Sequence, residues 1–245
     1  MPDAPSPPPP PPSPPPHIRT VKSFVRRNGR VTVAQQRALN DCWPDYGLDF
    51  HPQRVDLSTL FGRMAPRTME IGFGNGEHLL ARAVAEPQRD FLGVEVHRAG
   101  VGHLLNAAAA AGVRNLRVAG HDAIEVLQVQ IAPQALDEVQ ILFPDPWPKS
   151  RHHKRRLIQP AFVELVATRL AVGGRLLLAT DWLPYAEHIR MVLDDCRDFE
   201  ALANGAADRD LSATLPTPRR TQTRFERRGL RLGHEVSEFC YRRRP

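Results

Sequence analysis

Two short stretches of this sequence combine residue types that could bind a nucleoside and transfer a group to it. In residues 143–156, three prolines, one acid (Asp145) and one tryptophan (Trp147) lead into a run of cationic side chains. A carboxylate and an aromatic ring on a stiff loop can hold a flat polar ring, and cations beside them can hold phosphates. The second stretch, residues 70–77, is rich in glycine.

The elements around these stretches predict an α/β fold. Short apolar segments alternate with segments whose apolar residues recur at three- and four-residue spacing, which indicates a Rossmann-like, doubly wound, mostly parallel sheet. We expect a C-terminal strand to join it antiparallel at the edge. The predicted strands are residues 69–73, 91–96, 116–119, 139–143, 176–179 and 236–242, and the predicted helices are residues 32–43, 77–85, 101–111, 123–131, 161–171 and 185–196.

The glycine-rich stretch follows the first predicted strand and precedes a helix. Its glycines, Gly72, Gly74 and Gly76, permit a tight turn and a close approach of the backbone to a ligand. Glu70 stands at the end of the first strand, immediately before the glycines. Glu95 ends the second strand, where a carboxylate can accept hydrogen bonds from a ribose diol. Nicotinamide enzymes also use the second acid, but a pyrophosphate would lie badly beside Glu70. The better match is S-adenosylmethionine, a nucleoside with a cationic amino-acid tail.

A third acid, Asp122, follows the third predicted strand and is placed to reach an adenine amino group. The alternative for Asp122 and Glu95 is that each caps a helix N-terminus. Asp145 follows the fourth strand, where amine-directed methyltransferases carry an Asn/Asp-Pro-Pro-Tyr-like loop that Asp145-Pro-Trp resembles. Trp147 either stacks on a base there or caps the core.

The charge distribution favours a polyanionic partner. Residues 17–40, 143–156 and 217–245 together hold 20 Arg or Lys against 4 acids, whereas the rest of the chain holds 13 against 23. Such segregation is typical of nucleic-acid binding, although solvated basic faces are also common. His152 and His153 read as phosphate neighbours or solvated side chains rather than catalytic groups.

Length and composition fit one α/β domain with extensions. The chain has 245 residues, of which 42% are hydrophobic, and neither a membrane-spanning segment nor an apolar signal core is evident, so a cytoplasmic protein is expected. The three cysteines are widely spaced, which suggests neither a disulfide framework nor a metal site. We divide the chain into a disordered proline-rich tail (1–16), a basic arm with a short helix (17–66) and a catalytic domain (67–245). The tail could instead be a ligand for a proline-binding domain.

Taken jointly, the motifs resemble bacterial tRNA (guanine-N7-)-methyltransferases, over roughly residues 18–242. Arg224, where lysine is usual, and Pro148 are mild departures. The resemblance rests on Glu-Ile-Gly-Phe-Gly-Asn-Gly (70–76), Gly-Val-Glu-Val-His (93–97), His-Asp-Ala (121–123), Phe-Pro-Asp-Pro-Trp (143–147), Arg-His-His-Lys-Arg-Arg (151–156), Ala-Thr-Asp-Trp (179–182) and Thr-Arg-Phe-Glu-Arg-Arg-Gly (223–229).

The resemblance implies a class I methyltransferase fold, S-adenosylmethionine as cofactor, and methylation of a guanine at N7 in the variable loop of tRNA. It implies that Glu70, Glu95, Asp122 and Asp145 line the cofactor site, with Asp145 also catalytic. Lys149, Asp181 and the segment Thr223, Arg224, Phe225 and Glu226 are implied to contact the guanine-bearing substrate. The implied RNA contacts are Arg151, His152, His153, Lys154, Arg155 and Arg156. No metal is expected.

Two other classes of function stay open at this point. A nicotinamide-dependent oxidoreductase would bind NAD and not S-adenosylmethionine, and the glycine spacing and Glu70 argue against it. A non-catalytic RNA-binding subunit would bind RNA without methyl transfer, and the presence of Asp145 and Asp181 argues against that.

Overall fold

A central β-sheet organises the part of the chain that this computed structural model describes, namely Phe24, residues 30–202 and residues 235–245. Within those residues the strands are β1 (Arg67–Ile71), β2 (Asp90–Val94), β3 (Leu116–Ala119), β4 (Leu136–Leu142), β5 (Leu170–Thr180), β6 (Phe199–Ala201) and β7 (Ser237–Arg243). They form one sheet in the order β3-β2-β1-β4-β5-β7-β6, and the first five strands of that order are parallel. The expected doubly wound, mostly parallel sheet is confirmed.

Helices connect the parallel strands. The α-helices are α1 (Val33–Asp41), α2 (Trp43–Tyr46), α3 (Leu57–Phe61), α4 (Glu77–Ala85), α5 (Arg98–Ala111), α6 (Ala123–Glu125), α7 (Pro160–Arg169) and α8 (Leu183–Asp194). A π-helical turn, Val126–Gln130, continues α6, and a 3₁₀ turn, Ser150–Arg155, precedes α7. Among the described residues, no helix is both long and apolar enough to span a lipid bilayer.

Several element limits differ from the prediction for identifiable reasons. Pro44 does not end the N-terminal helical region; it lies in the first turn of α2, where its missing N–H is tolerated. The helix predicted for residues 161–171 ends at Arg169, and the following strand contains an irregularity in which Gly173 has a φ of 80°. The two glycines at 173 and 174 therefore lie in an irregular stretch of β5 rather than at a helix end.

The C-terminal strand pairs antiparallel with β5, as predicted. It does not form the margin of the sheet, because the short strand β6 pairs antiparallel with its other side. The sequence provided no signal for β6, which has only three residues. The predicted tail 1–16 lies outside the described residues, as do residues 17–23 and 25–29 of the predicted basic arm.

The two faces of the central strands differ in polarity. On one face, Met69 and Ile71 of β1 and Val139 and Ile141 of β4 belong to a large apolar core, and each is at most 5% exposed. Alternate residues of the same strands point to the opposite face. Those residues are Thr68, Glu70, Glu138 and Gln140, and all four are at most 3% exposed. A buried polar layer therefore lies under the carboxyl end of β1.

Candidate functional site

The glycine-rich turn lies at the carboxyl end of β1. Gly72, Gly74 and Gly76 have φ angles of 74°, 60° and 76°, a region that favours glycine, and Gly76 caps α4. A Cβ added to Gly72 or Gly74 would meet no atom within 4 Å, so there is open space beside the turn. Two backbone hydrogen bonds hold the turn in place. The Gly72 N–H donates to the Val94 carbonyl oxygen at 2.8 Å, and the Gly76 N–H donates to the Phe73 carbonyl oxygen at 2.9 Å.

A further glycine, Gly100 in α5, lets the neighbouring helix approach this turn. A Cβ on Gly100 would lie 2.1 Å from the carbonyl oxygen of Gly74, a distance that no side chain could tolerate. Gly100 was not among the predicted site residues, because its contact with Gly74 spans 26 residues and no local turn marks it. Its signal was the pair of glycines inside an otherwise regular helical pattern.

The carboxylate of Glu95 ties the end of β2 to the glycine-rich turn. One oxygen, Oε2, accepts from the Gly74 N–H at 2.9 Å. The other, Oε1, accepts from the N–H groups of Val96 at 2.7 Å and His97 at 2.9 Å. The N-cap of α5 is His97, which forms no side-chain cap bond, so the capping alternative does not hold for Glu95. A carboxylate oxygen has two lone pairs, and Oε2, which accepts from Gly74, therefore has a second one for a ligand.

Asp122, which follows β3, has two possible roles: contact with a ligand and capping of a helix. It is the N-cap of α6, where Oδ1 accepts from the Ile124 N–H at 3.0 Å. Its neighbour His121 stacks on Phe50, with ring centroids 3.8 Å apart and the planes at 8°. His121 also contacts Glu125.

Residues 47–50, the segment that ends at Phe50, pack against β3 and against His121, the neighbour of Asp122. Gly47 forms a parallel bridge with Val118, and Leu48 donates to the Val118 carbonyl at 2.8 Å. The buried Gln130 of the π-helical turn donates to the Asp49 carbonyl at 2.9 Å. The sequence does not predict this segment at the site, because the contacts that bring it there join residues remote in the chain.

The loop after β4 is strained on both sides of Asp145. Phe143 and Trp147 have φ angles of 53° and 45°, and neither is a glycine. Such conformations cost about 1–3 kcal/mol each and persist only where surrounding contacts enforce them. One such contact is the bond from the Phe143 N–H to the Ala179 carbonyl of β5, at 2.8 Å. Asp145 itself is exposed.

Asp181 follows β5 at the same edge of the sheet. Leu142 and Ala179 are register partners of the parallel strands β4 and β5, and Asp145 and Asp181 follow these partners by three and two residues. The two carboxylates therefore belong to adjacent strand ends.

Arg156 differs from the exposed members of the cationic run. It is only 4% exposed, and its Nε donates to the Pro146 carbonyl at 3.0 Å. Its guanidinium also lies 4.9 Å from the centre of the Tyr185 ring, and burial lowers its pKa while raising that of Tyr185 to about 12. Arg156 therefore supports the Asp145 loop, and its predicted contact with RNA stays a prediction.

Arg155 also turns towards the loop. Its guanidinium lies 4.1 Å from the centre of the Trp147 ring, a cation–π contact, and its Nη2 is 3.5 Å from the Phe24 carbonyl oxygen. The remaining members of the run differ. Arg151, Lys154 and Lys149 are exposed, while His152 and His153 are half-buried. Partial desolvation, together with the charges of Arg151 and Arg155, lowers the pKa of His152 and favours its neutral form.

The remaining predicted site residues fall into two groups. Glu70 is 3% exposed and forms part of the buried polar layer. Thr223, Arg224, Phe225 and Glu226 lie outside the described residues. Among the described residues, no group of three or more His, Cys, Asp or Glu side chains is arranged to hold a metal ion.

In sequence, this chain is similar to known methyltransferases. Residues 64–239 match the model of a family described as "Putative methyltransferase". The chain is 54% identical to the tRNA (guanine-N(7)-)-methyltransferase of Halorhodospira halophila, over 93% of this chain and 96% of that one. It is 52% identical to the protein of the same name from Leifsonia xyli, over 91% and 96% of the two chains.

Among solved structures, 16S rRNA methyltransferase KamB matches with a TM-score of 0.52 and 16% identity, over 79% of this chain and 95% of that one. The aminoglycoside resistance methyltransferase NpmB1 matches with a TM-score of 0.50 and 13% identity, over 79% and 95%. These two structures share the fold of this chain.

Proposed function

Because the chain belongs to the tRNA (guanine-N(7)-)-methyltransferase family, we propose that it transfers a methyl group from S-adenosylmethionine to N7 of a guanine in the variable loop of tRNA. The product is 7-methylguanosine. One observation carries the proposal: the glycine-rich turn with its acids and the Asp145 loop lie at one edge of the sheet, and that loop continues directly into exposed cations.

The residues at the end of β1, β2 and β3 fit the proposed cofactor. Open space borders Gly72 and Gly74, and the acids Glu95 and Asp122 follow the next two strands. Carboxylates match a ligand whose amino group, ribose diol and adenine amine are all hydrogen-bond donors. When bound, S-adenosylmethionine supplies an electrophilic methyl group on a positively charged sulfur.

The chain's own contribution to the chemistry is position and charge. N7 of guanine has an in-plane lone pair, so no general base is needed, and catalysis consists mainly of orienting that nitrogen. Asp145 and Asp181 accept hydrogen bonds from the ring N–H and exocyclic amine of guanine, which adenine cannot reproduce. The Asp145 carboxylate also stabilises the positive charge that the purine ring acquires on methylation.

The cationic side chains hold the tRNA. Arg151, Lys154 and Lys149 are exposed, so their side chains can contact phosphates of the tRNA. A stacked guanine must turn out of its helix to reach the site, at a cost of a few kcal/mol that phosphate contacts offset. The segment 223–226 remains a predicted contact of the same base. With a tRNA substrate, the proposed location is the cytoplasm.

A transfer assay tests the proposal. The protein is incubated with S-adenosylmethionine labelled in its methyl group and unmodified tRNA, and the labelled nucleoside is identified. The proposal requires 7-methylguanosine. Affinity for NAD without affinity for S-adenosylmethionine would favour an oxidoreductase, and tRNA binding by folded protein without label would favour a non-catalytic RNA-binding subunit.

A further inference from the structure

The buried polar layer under the glycine-rich turn is not accounted for by the proposed function. Thr68 pairs in register with Glu138, and Glu70 pairs with Gln140, so four polar side chains occupy one face of β1 and β4. Burying polar groups costs free energy unless hydrogen bonds compensate. Helix α4 covers this face with His78 and Arg82, which are 5% and 4% exposed.

Glu138 anchors the layer as an anion. Its Oε1 accepts from Arg82 Nη1 at 2.5 Å, and its Oε2 accepts from Arg175 Nη2 at 2.6 Å. Burial alone would raise the pKa of Glu138, but the charges of Arg82 and Arg175 outweigh it and lower the pKa. The carboxylate is therefore a pure hydrogen-bond acceptor.

This acceptor determines the orientation of Gln140. The Nε2 of Gln140 donates to Glu138 Oε1 at 2.8 Å, and so the amide oxygen must point the other way. That oxygen, Oε1, lies 3.1 Å from His78 Nε2. Because the amide oxygen only accepts, His78 carries a proton on Nε2. Hydrogen bonds are thus donated from His78 to Gln140 and from Gln140 to Glu138, which also accepts from Arg82.

Gln140 and His78, the last two members of this chain of hydrogen bonds, are both neighbours of Glu70. Gln140 is the register partner of Glu70 on the same face of the sheet, where neighbouring strands lie about 4.8 Å apart. His78 is the second residue of α4, immediately after the turn that Glu70 precedes. The amide and the imidazole whose orientations are fixed therefore belong to residues that neighbour Glu70, one across the sheet and one across the glycine-rich turn.

We propose that Gln140 and His78 are positioning residues that orient the Glu70 carboxylate towards the α-amino group of the methyl donor. This inference rests on the proposed function, and it assigns Glu70, beside the glycine-rich turn, to the cationic amino-acid tail of that donor. In this proposal the layer fixes the direction of the buried Glu70 carboxylate, so that the carboxylate does not have to be reoriented when the tail binds.

Two ligands separate positioning from general support of the pocket. S-adenosylhomocysteine has the amino-acid tail, whereas 5′-methylthioadenosine keeps the nucleoside and sulfur but lacks it. For Gln140→Met, which removes the amide with little change in shape, we expect the Kd of S-adenosylhomocysteine to rise roughly tenfold. The Kd of 5′-methylthioadenosine should change less than about twofold. Calorimetric titration of each ligand measures both.

Thr68→Val is the matched control. Thr68 lies in the same layer, 3.4 Å from Glu138 Oε1, but it is two residues further from the glycine-rich turn than Glu70. We expect it to leave the ratio of the two Kd values unchanged. If Gln140→Met raises both Kd values equally, or neither, the inference is overturned. If the wild-type protein binds neither ligand, the proposed function fails and the inference fails with it.

A second pair of variants tests the same inference at His78 should Gln140→Met not fold. His78→Gln places an amide N–H near the position of Nε2 and should retain a ratio of Kd values near that of the wild type. His78→Leu removes the donor and should raise the Kd of S-adenosylhomocysteine selectively. Equal behaviour of these two variants would overturn the role assigned to His78.

Discussion

The guanidinium of Arg156 donates a hydrogen bond to the carbonyl oxygen of Pro146 at 3.0 Å. This bond stabilises the loop that carries Asp145. Of the six residues 151–156, Arg156 alone is classed as buried. The same short stretch of chain thus contains a cation that shapes the loop and exposed cations available to a polyanion. Substitutions at these positions should have separable effects.

We expect Arg156→Met to impair transfer through the loop rather than through RNA binding. The substitution leaves the Pro146 carbonyl without this donor in a half-buried site, which should lower the free energy of unfolding by about 1–3 kcal/mol. Single-turnover rates should fall, while the slope of log Kd for tRNA against log salt concentration stays at the wild-type value. A changed slope would show that Arg156 contacts phosphate.

Arg151→Gln should show the reverse pattern. Arg151 is exposed, and removing one phosphate contact should reduce the salt slope of tRNA binding by about 0.7–0.9. The free energy of unfolding should be unchanged within about 0.5 kcal/mol. Binding measured at several salt concentrations tests this, and an unaltered slope would remove Arg151 from the RNA interface.

Gly100→Ala should disrupt the cofactor site from outside it. The added methyl group would collide with the Gly74 carbonyl, so α5 or the glycine-rich turn must move, at a typical cost of about 1–3 kcal/mol in stability. S-adenosylhomocysteine should bind more weakly. In the control Gly112→Ala, at the far end of α5, the positive φ of 65° should cost stability but leave binding unchanged. Equal affinities for the two variants would contradict the assigned role of Gly100.

The stability of the polar layer should depend on pH in the acid range. The folded-state pKa of Glu138 lies below its ordinary value of 4.5, so its stabilising contribution is present above pH 4.5 and is lost as the pH falls through the folded-state pKa. Urea unfolding of the wild type and of Glu138→Gln measures this contribution. The difference between them should shrink towards acid pH, and a constant difference would contradict the assignment.

The sequence indicated the fold well where local signals and packing agree. Helix α4 has the predicted limits because Gly76 precedes it and its apolar residues repeat regularly. The polar layer was overlooked because residues 139–143 were read as one apolar run. The alternation of Glu138 and Gln140 with apolar neighbours shows instead that the two faces of β4 differ.

Roles that depend on tertiary contacts had no local signature. Arg155 and Arg156 are indistinguishable from Arg151 in the sequence, and only the fold turns them towards Trp147 and Pro146. The stacking of Phe50 on His121 likewise joins residues far apart in the chain. The sequence does not decide whether Trp147 stacks on a base. In the structure, the guanidinium of Arg155 lies over the Trp147 ring.

The most direct test of the account compares the wild type with Asp145→Ala in single-turnover transfer to unmodified tRNA, followed by chemical cleavage at 7-methylguanosine. The wild type should produce cleavage at one guanine of the variable loop. Asp145→Ala should be slower by roughly 10²- to 10³-fold, with its Kd for tRNA changed less than about threefold. Absence of 7-methylguanosine with folded wild-type protein, or wild-type rates for Asp145→Ala, would contradict the account.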